Sequence, residues 1–174
     1  MSNFAQLLRE EHESLLPQIE RLRSVADTVG DMPEPALERG LEKMYEFLAH
    51  RLMPHAQAEE EIFYPAVGRL LGVPQATASM SRDHAEVGRL TEEFRLLLAP
   101  ASSVKPAEKA KDLRRVLYGL YAVVKLHLAK EEELYAPLLE RYLSEEEAHG
   151  LLHDMAQATR GKVTHDHLDA RNGT

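Results

Sequence analysis

Cysteine is absent from the chain, which excludes disulfides, thiolate metal sites and cysteine nucleophiles. That absence is in keeping with a reducing cytoplasm. Basic charge is in short supply. The 21 Lys and Arg face 29 Asp and Glu, for a net charge of −8 and a pI near 5.6. No basic run offsets this balance, which argues against a nucleic acid or an anionic membrane surface as partner. Long apolar runs are missing too. The longest, near LYGLYAVV, is too short to cross a bilayer. The N-terminal MSNFAQLLREEHE lacks the apolar core of a secretory signal. A soluble, cytoplasmic protein is expected. Glycine and proline, nine of each, are too few to make disorder the default. What remains is 174 residues, 44% hydrophobic and 29% charged, enough for one domain with a sizeable core.

Apolar residues recur at three- and four-residue steps along most of the chain, the period of an amphipathic helix. Phe4, Leu8, His12, Leu15, Ile19 and Leu22 share one face. After the break GDMPEP, a second stripe runs through Leu41, Met44, Leu48, Leu52, His55, Glu59 and Ile62, and Gly72-Val-Pro74 closes it. A third carries Met80, His84, Val87, Thr91, Phe94 and Leu98. A fourth, beyond the loop Pro100 to Pro106, carries Leu113, Leu117, Leu120, Val124, His127, Glu131 and Leu134. Ser144-Glu-Glu-Glu147 is a capping-box start for a shorter fifth helix ending near Arg160. No stretch alternates at period two. The pattern predicts an all-α fold: an up-down-up-down four-helix bundle over residues 1–143, an accessory helix over 144–160 and a frayed tail over 161–174. Pro17, Pro54, Pro65 and Pro137 fall inside the helical pattern and are expected to kink it or mark turns in it.

The two halves of the chain are related. The stretch HAQAEEEIFYP beginning at His55 returns as HLAKEEELYAP beginning at His127, 72 residues later. The same shift pairs His12 with His84, Glu59 with Glu131, Pro65 with Pro137, and Glu11 with Asp83. A duplicated helical hairpin, packed about a pseudo-twofold axis, accounts for this.

His-x-x-x-Glu by itself carries little information. With nine histidines and 22 glutamates in the chain, chance alone yields about one such pair. Position is more telling, because both pairs lie on the apolar stripes, as do His12 and His84. Four histidines and two glutamates therefore point into one core. A single inward histidine is most often a satisfied core residue. An inward carboxylate is harder to explain, since burying it unpaired costs several kcal/mol. The nearest cation, Arg51, lies at the edge of its stripe. A metal ion would meet the need, and i,i+4 spacing lets one His and one Glu reach the same or adjacent ions. Imidazole with carboxylate suits iron, manganese or zinc. Eight donor atoms leave positions on two six-coordinate ions for solvent, a bridging oxygen or a substrate. Glu60, Glu61, Glu132 and Glu133 are expected to be solvated, with Glu60 and Glu132 closest to turning inward. His50, His149, His153, His165 and His167 read as surface residues. Of Tyr45, Tyr64, Tyr118, Tyr121, Tyr135 and Tyr142, one near the metals could bond a bound ligand or act as a ligand itself; spacing does not choose among them.

The order H…HxxxE…H…HxxxE, filled by His12, His55, Glu59, His84, His127 and Glu131, resembles the hemerythrin-like, or HHE cation-binding, family over roughly residues 3 to 142. The resemblance implies a bundle holding two iron ions, bridged by carboxylate and by oxo or hydroxo, that react with dioxygen, peroxide or nitric oxide. Two departures stand out. Oxygen-carrying hemerythrins have a fifth histidine four residues after the one on the third helix, where this chain has Gly88. Their fourth-helix carboxylate is an Asp five residues after its histidine, where Glu131 follows His127 by four. The iron nearest His84 is then less saturated by protein, with space at Gly88. That favours peroxide or nitric oxide detoxification, peroxidase- or catalase-like, over reversible oxygen carriage. The alternative is a non-enzymatic module for binding or sensing dioxygen or iron. The expected partner is a peroxide or a small diatomic; the fifth helix offers a docking element or a homodimer contact.

Overall fold

The computed structural model describes residues 4–31, 33–99 and 105–169, leaving aside the side chains of Glu34 and of residues 161–169. Five helical rods follow in chain order: α1, Phe4–Thr28; α2, residues 34–71; α3, Ala78–Leu98; α4, residues 106–142; and α5, Glu145–Asp169. No strand occurs among the described residues. α1 packs against α2 and α4, α3 packs against α2 and α4, and α5 lies across α2 and α1. The first four therefore close into the expected bundle. None of these helices is long and apolar enough to cross a membrane.

Glycine and a capping box set the ends. Gly72 takes a left-handed conformation (φ 65°) and donates its N–H to the Arg69 and Gly68 carbonyls, which stops α2. Val73 N–H also bonds the Gly68 carbonyl at 3.1 Å. Ser144 and Glu147 form the predicted capping box, with Ser144 N–H donating to Glu147 Oε2 (2.8 Å) and Glu147 N–H to Ser144 Oγ (3.3 Å). The backbone of α5 continues past Arg160 to Asp169, longer than expected. A lone Gly161 costs a helix only about 1 kcal/mol and no proline follows to stop it. Residues 170–174, the end of the expected frayed tail, lie outside the described residues.

Three prolines are absorbed by π turns, and always in the same way. π turns span Leu48–Leu52, Glu59–Phe63 and Glu131–Tyr135. Each is followed by one residue whose N–H reaches five back: Met53 to Leu48, Tyr64 to Glu59, Ala136 to Glu131. The next residue is Pro54, Pro65 or Pro137. Proline has no N–H to close an α turn and its ring crowds the carbonyl four back, so the widened turn removes both conflicts. Pro17, by contrast, sits inside uninterrupted α-helix.

Each π turn adds a residue to the turn and so rotates the helix beyond it. Leu134, placed on the inward stripe by its spacing, is instead 61% exposed, while Ala136 and Leu139 are buried. Ile62 is likewise only partly buried, and Phe63 and Tyr64 take the inward position. Upstream of the π turns at Glu59 and Glu131, the four stripes are buried as expected, save for a partly buried Leu98.

Two apolar clusters fill the interior. The larger joins Leu22, Met44, Leu48, Phe94, Leu117 and Leu120 among others. The smaller joins Phe4, Leu8, Phe63, Tyr64, Met80 and Leu139 to Ala148 and Met155 of α5. The fifth helix is thus packed into the core. The polar residues predicted to face inward lie between these clusters. We expect Leu120→Ala, at a site with no exposed surface, to cost about 2–5 kcal/mol in urea unfolding. Leu126→Ala, at a site 63% exposed, should change stability by less than about 0.5 kcal/mol.

Candidate metal centre

All six residues singled out by position are buried together: His12, His55, Glu59, His84, His127 and Glu131 are each at most 9% exposed. Glu59 spans two imidazoles, with Oε1 2.9 Å from His55 Nε2 and Oε2 3.1 Å from His84 Nε2. Glu131 does the same on the other side, with Oε2 3.4 Å from His12 Nε2 and Oε1 3.5 Å from His127 Nε2. The shift of 72 that relates the sequences also relates these contacts.

The outer nitrogen of every imidazole faces a carboxylate from a neighbouring helix. His12 Nδ1 donates to Glu132 (2.9 Å), His84 Nδ1 to Glu60 (2.8 Å) and His127 Nδ1 to Asp83 (3.2 Å). His55 Nδ1 lies 3.3 Å from Glu11. Glu60 and Glu132 are therefore not merely solvated, as their place off the stripe suggested. They are 37% and 27% exposed, with one carboxylate oxygen on an imidazole. Ser81 also donates to Glu60 (2.8 Å), and Lys130 donates to Asp83. Glu11 with Asp83, and Glu60 with Glu132, are pairs under the same shift of 72, and that pairing was the signal available in the sequence. Glu61 and Glu133 are exposed.

With Nδ1–H committed outward, each imidazole when neutral presents its Nε2 lone pair to the centre, the tautomer that ligates metals. His84 Nε2 and His127 Nε2 stand only 2.9 Å apart. His12 Nε2, His55 Nε2, Glu59 Oε1 and Glu131 Oε2 are buried with no hydrogen-bond partner, a costly state that a cation at the centre relieves. Two groups have ligand atoms within 4.8 Å of one another and could each hold a metal ion: His12, His55 and Glu59, and Glu59, His84 and His127. Glu59 belongs to both. The donor set therefore fits a metal.

Two residues break the pseudo-symmetry. Tyr64, whose repeat partner is Ala136, is the tyrosine that spacing could not choose. Its hydroxyl donates to Glu131 Oε1 (2.8 Å) and lies 3.2 Å from His127 Nε2 and 3.4 Å from His84 Nε2. Its ring stacks on His84 at 5.4 Å between centroids. Lys130, whose partner is Ala58, serves only Asp83. Both lie on the His84 and His127 side, as does Gly88, where an added Cβ would meet Met53 Cε at 3.6 Å. Beneath this region lies a cavity of about 20 Å³, walled by Leu52, Val87, Val124 and Leu128 together with Glu59 and His127. That is room for about one water-sized molecule. From outside, an open cleft of about 550 Å³ reaches Tyr64 and Glu60 between the end of α2 and the start of α3.

Other histidines stay away from the centre. His149 and His153 are exposed as expected, and His50 is half-buried beside Glu46. His165 and His167 lie outside the residues whose side chains are described.

Burial alone lowers the pKa of an imidazole, but the carboxylates win here. His127 is pushed up to about 10, because bonding to Glu131 and Glu59 outweighs its desolvation. His55 rises well above its ordinary value, as the charge of Glu59 and the bond to Glu11 outweigh burial. Burial raises the Glu59 carboxyl, yet the His55 charge and three imidazole contacts carry it well below the usual range. In the metal-free chain, protons do the work of a cation. Burial and the charges of Glu131 and Glu59 raise the Tyr64 hydroxyl, so it stays protonated.

A family model described as the hemerythrin HHE cation binding domain matches residues 3–139. No curated protein and no solved structure matches the chain.

These shifts make the metal-free protein's stability depend on pH. A raised imidazole contributes fully below its unfolded value of about 6.5 and is lost as pH climbs through its folded value. Chelator-treated protein should therefore lose urea stability progressively between about pH 6.5 and 10. Metal-loaded protein should not, since a bound cation holds the imidazoles neutral and releases their protons.

Proposed function

This chain belongs to the hemerythrin HHE cation-binding domain family, and from that premise we propose that it is a non-haem diiron protein that removes peroxide or nitric oxide. The observation that carries the proposal is the set of buried atoms with no hydrogen-bond partner, the Nε2 of His12 and His55 and one oxygen each of Glu59 and Glu131. Iron suits a donor set of imidazole and carboxylate without thiolate. His12, His55 and Glu59 would hold one ion, and His84 and His127 the other. Glu59 belongs to both ligand groups, and Glu131, against His12 and His127, would add a further carboxylate. Bound iron would supply Lewis-acid and redox chemistry toward oxygen-derived ligands.

The protein's own part is selection, orientation and proton supply. The apolar cavity beside Glu59 and His127 admits only a molecule of diatomic or peroxide size. The cleft at Tyr64 and Glu60 gives the approach from solvent. Tyr64 holds its hydroxyl proton between Glu131 Oε1 and the two Nε2 atoms of His84 and His127. A ligand there would find a positioned donor, the geometry general acid catalysis requires. The outer carboxylates lock all four imidazole rings, so a ligand meets a centre that does not rearrange. Gly88 leaves the His84 side without a further protein ligand, which favours turnover of a bound oxidant over its storage.

A reversible dioxygen or iron sensor is the second reading, favoured by the closeness of the cavity to the size of one diatomic. Cycling of the visible spectrum with oxygen, without consumption of oxidant, would select it.

Purified protein should carry two irons per chain and show oxo-bridge absorption that changes with peroxide. Glu59→Gln with Glu131→Gln should abolish iron binding by elemental analysis while helicity persists. If the double variant keeps its iron, the proposed site is wrong. Tyr64→Phe should keep both irons and slow peroxide consumption by about 10²-fold.

A further inference from the structure

The outer face of the α1–α2 hairpin carries a second polar concavity that the metal centre does not use. A groove of about 480 Å³ runs between the two helices, lined by Arg21 of α1 and by Lys43, Phe47 and Arg51 of α2. The three α2 residues are spaced four apart and share one helix face. Glu46 is the groove's only carboxylate, and it lies 3.9 Å from His50 Nε2.

The cations that line this groove stand outside the ion pairs of the surface. Arg89, Arg95 and Arg115 each pair with glutamates near them on the surface. Arg21 and Lys43 pair with no carboxylate among the described residues, and Arg51 donates only to Ser14 Oγ (3.1 Å). Arg21, Lys43 and Arg51 line the groove together, with Glu46 as the one carboxylate beside them. Like charges held together in a surface groove repel one another and favour an anion between them.

We propose that this groove binds a small phosphate-bearing molecule with at least two phosphate groups. Its volume falls within the range of about 300–1,000 Å³ usual for small-molecule sites. Two guanidinium forks and an ammonium match phosphate oxygens with charge-assisted hydrogen bonds. The Phe47 ring supplies an apolar wall for an organic portion of the ligand. Arg51 also lines the adjoining cleft of about 190 Å³, together with Glu11 and His55. Arg51 thus joins the groove to a cleft that Glu11 and His55 also line.

The test is isothermal titration of the purified full chain with inorganic pyrophosphate and, separately, with ADP. One stoichiometric site is expected, weakened by added salt as screening of exposed charges requires. The double variant Arg21→Ala, Lys43→Ala should weaken binding by about tenfold or more, while Arg89→Ala, Arg95→Ala leaves it unchanged. Circular dichroism confirms that each variant is folded. Tighter binding of ADP than of pyrophosphate places the organic portion against Phe47; equal binding assigns recognition to the phosphates alone. The proposal fails if neither probe binds at millimolar concentration. It fails equally if the groove variant binds as well as the control variant, because capture of the probe by bound metal or by diffuse charge is independent of Arg21 and Lys43.

Discussion

Two carboxylates lie in the middle of an apolar bundle, and the rest of the structure is arranged around that fact. Glu59 and Glu131 are 1% and 0% exposed. No lysine or arginine among the described residues pairs with either; their neighbours are four imidazoles and one phenol. Burying such a group unpaired costs several kcal/mol, a large share of the stability of a domain this size. The cost is offset only when positive charge is brought to the centre, as protons on the imidazoles or as metal. Everything adjacent serves that end. Four outer carboxylates turn the imidazole lone pairs inward, and apolar clusters on either side exclude water.

The duplicated hairpin sets a symmetric frame, and a few departures from it make the two halves unequal. Tyr64 stands where the other half has alanine, Lys130 serves Asp83 where its counterpart is Ala58, and Gly88 lies against the Met53 methyl where its counterpart is Leu16. All three fall on the side of His84 and His127. A centre built of equivalent halves would offer a ligand two like positions. This one offers a proton donor at one of them. The π turns make that possible, because the widened turn after Glu59 carries Tyr64 onto the inward face.

Much of this was legible in the residues themselves. The stripe from Phe4 to Leu22 is buried as the helical period predicts, and so are His55 and Glu59 four apart on α2. The repeat placed the six central residues, and it also held the outer carboxylates in pairs. Their role was not readable, because a residue off the apolar stripe looks solvated until the neighbouring helix is in place. Leu134 and Ile62 were misplaced for a different reason. The period of 3.6 was carried straight through Glu131 and Glu59, although Pro137 and Pro65 lay just ahead.

What the sequence determined by itself is therefore the fold class, the helix ends at Gly72 and Ser144, and the inward residues upstream of the π turns at Glu59 and Glu131. Local spacing and local capping chemistry decide these, and both can be read along the chain. Only the tertiary structure decided which carboxylate holds which imidazole, which tyrosine reaches the centre, and where the basic groove lies. Those depend on contacts between helices far apart in sequence, and on a register change at the π turns of Glu59 and Glu131 that spacing alone does not carry.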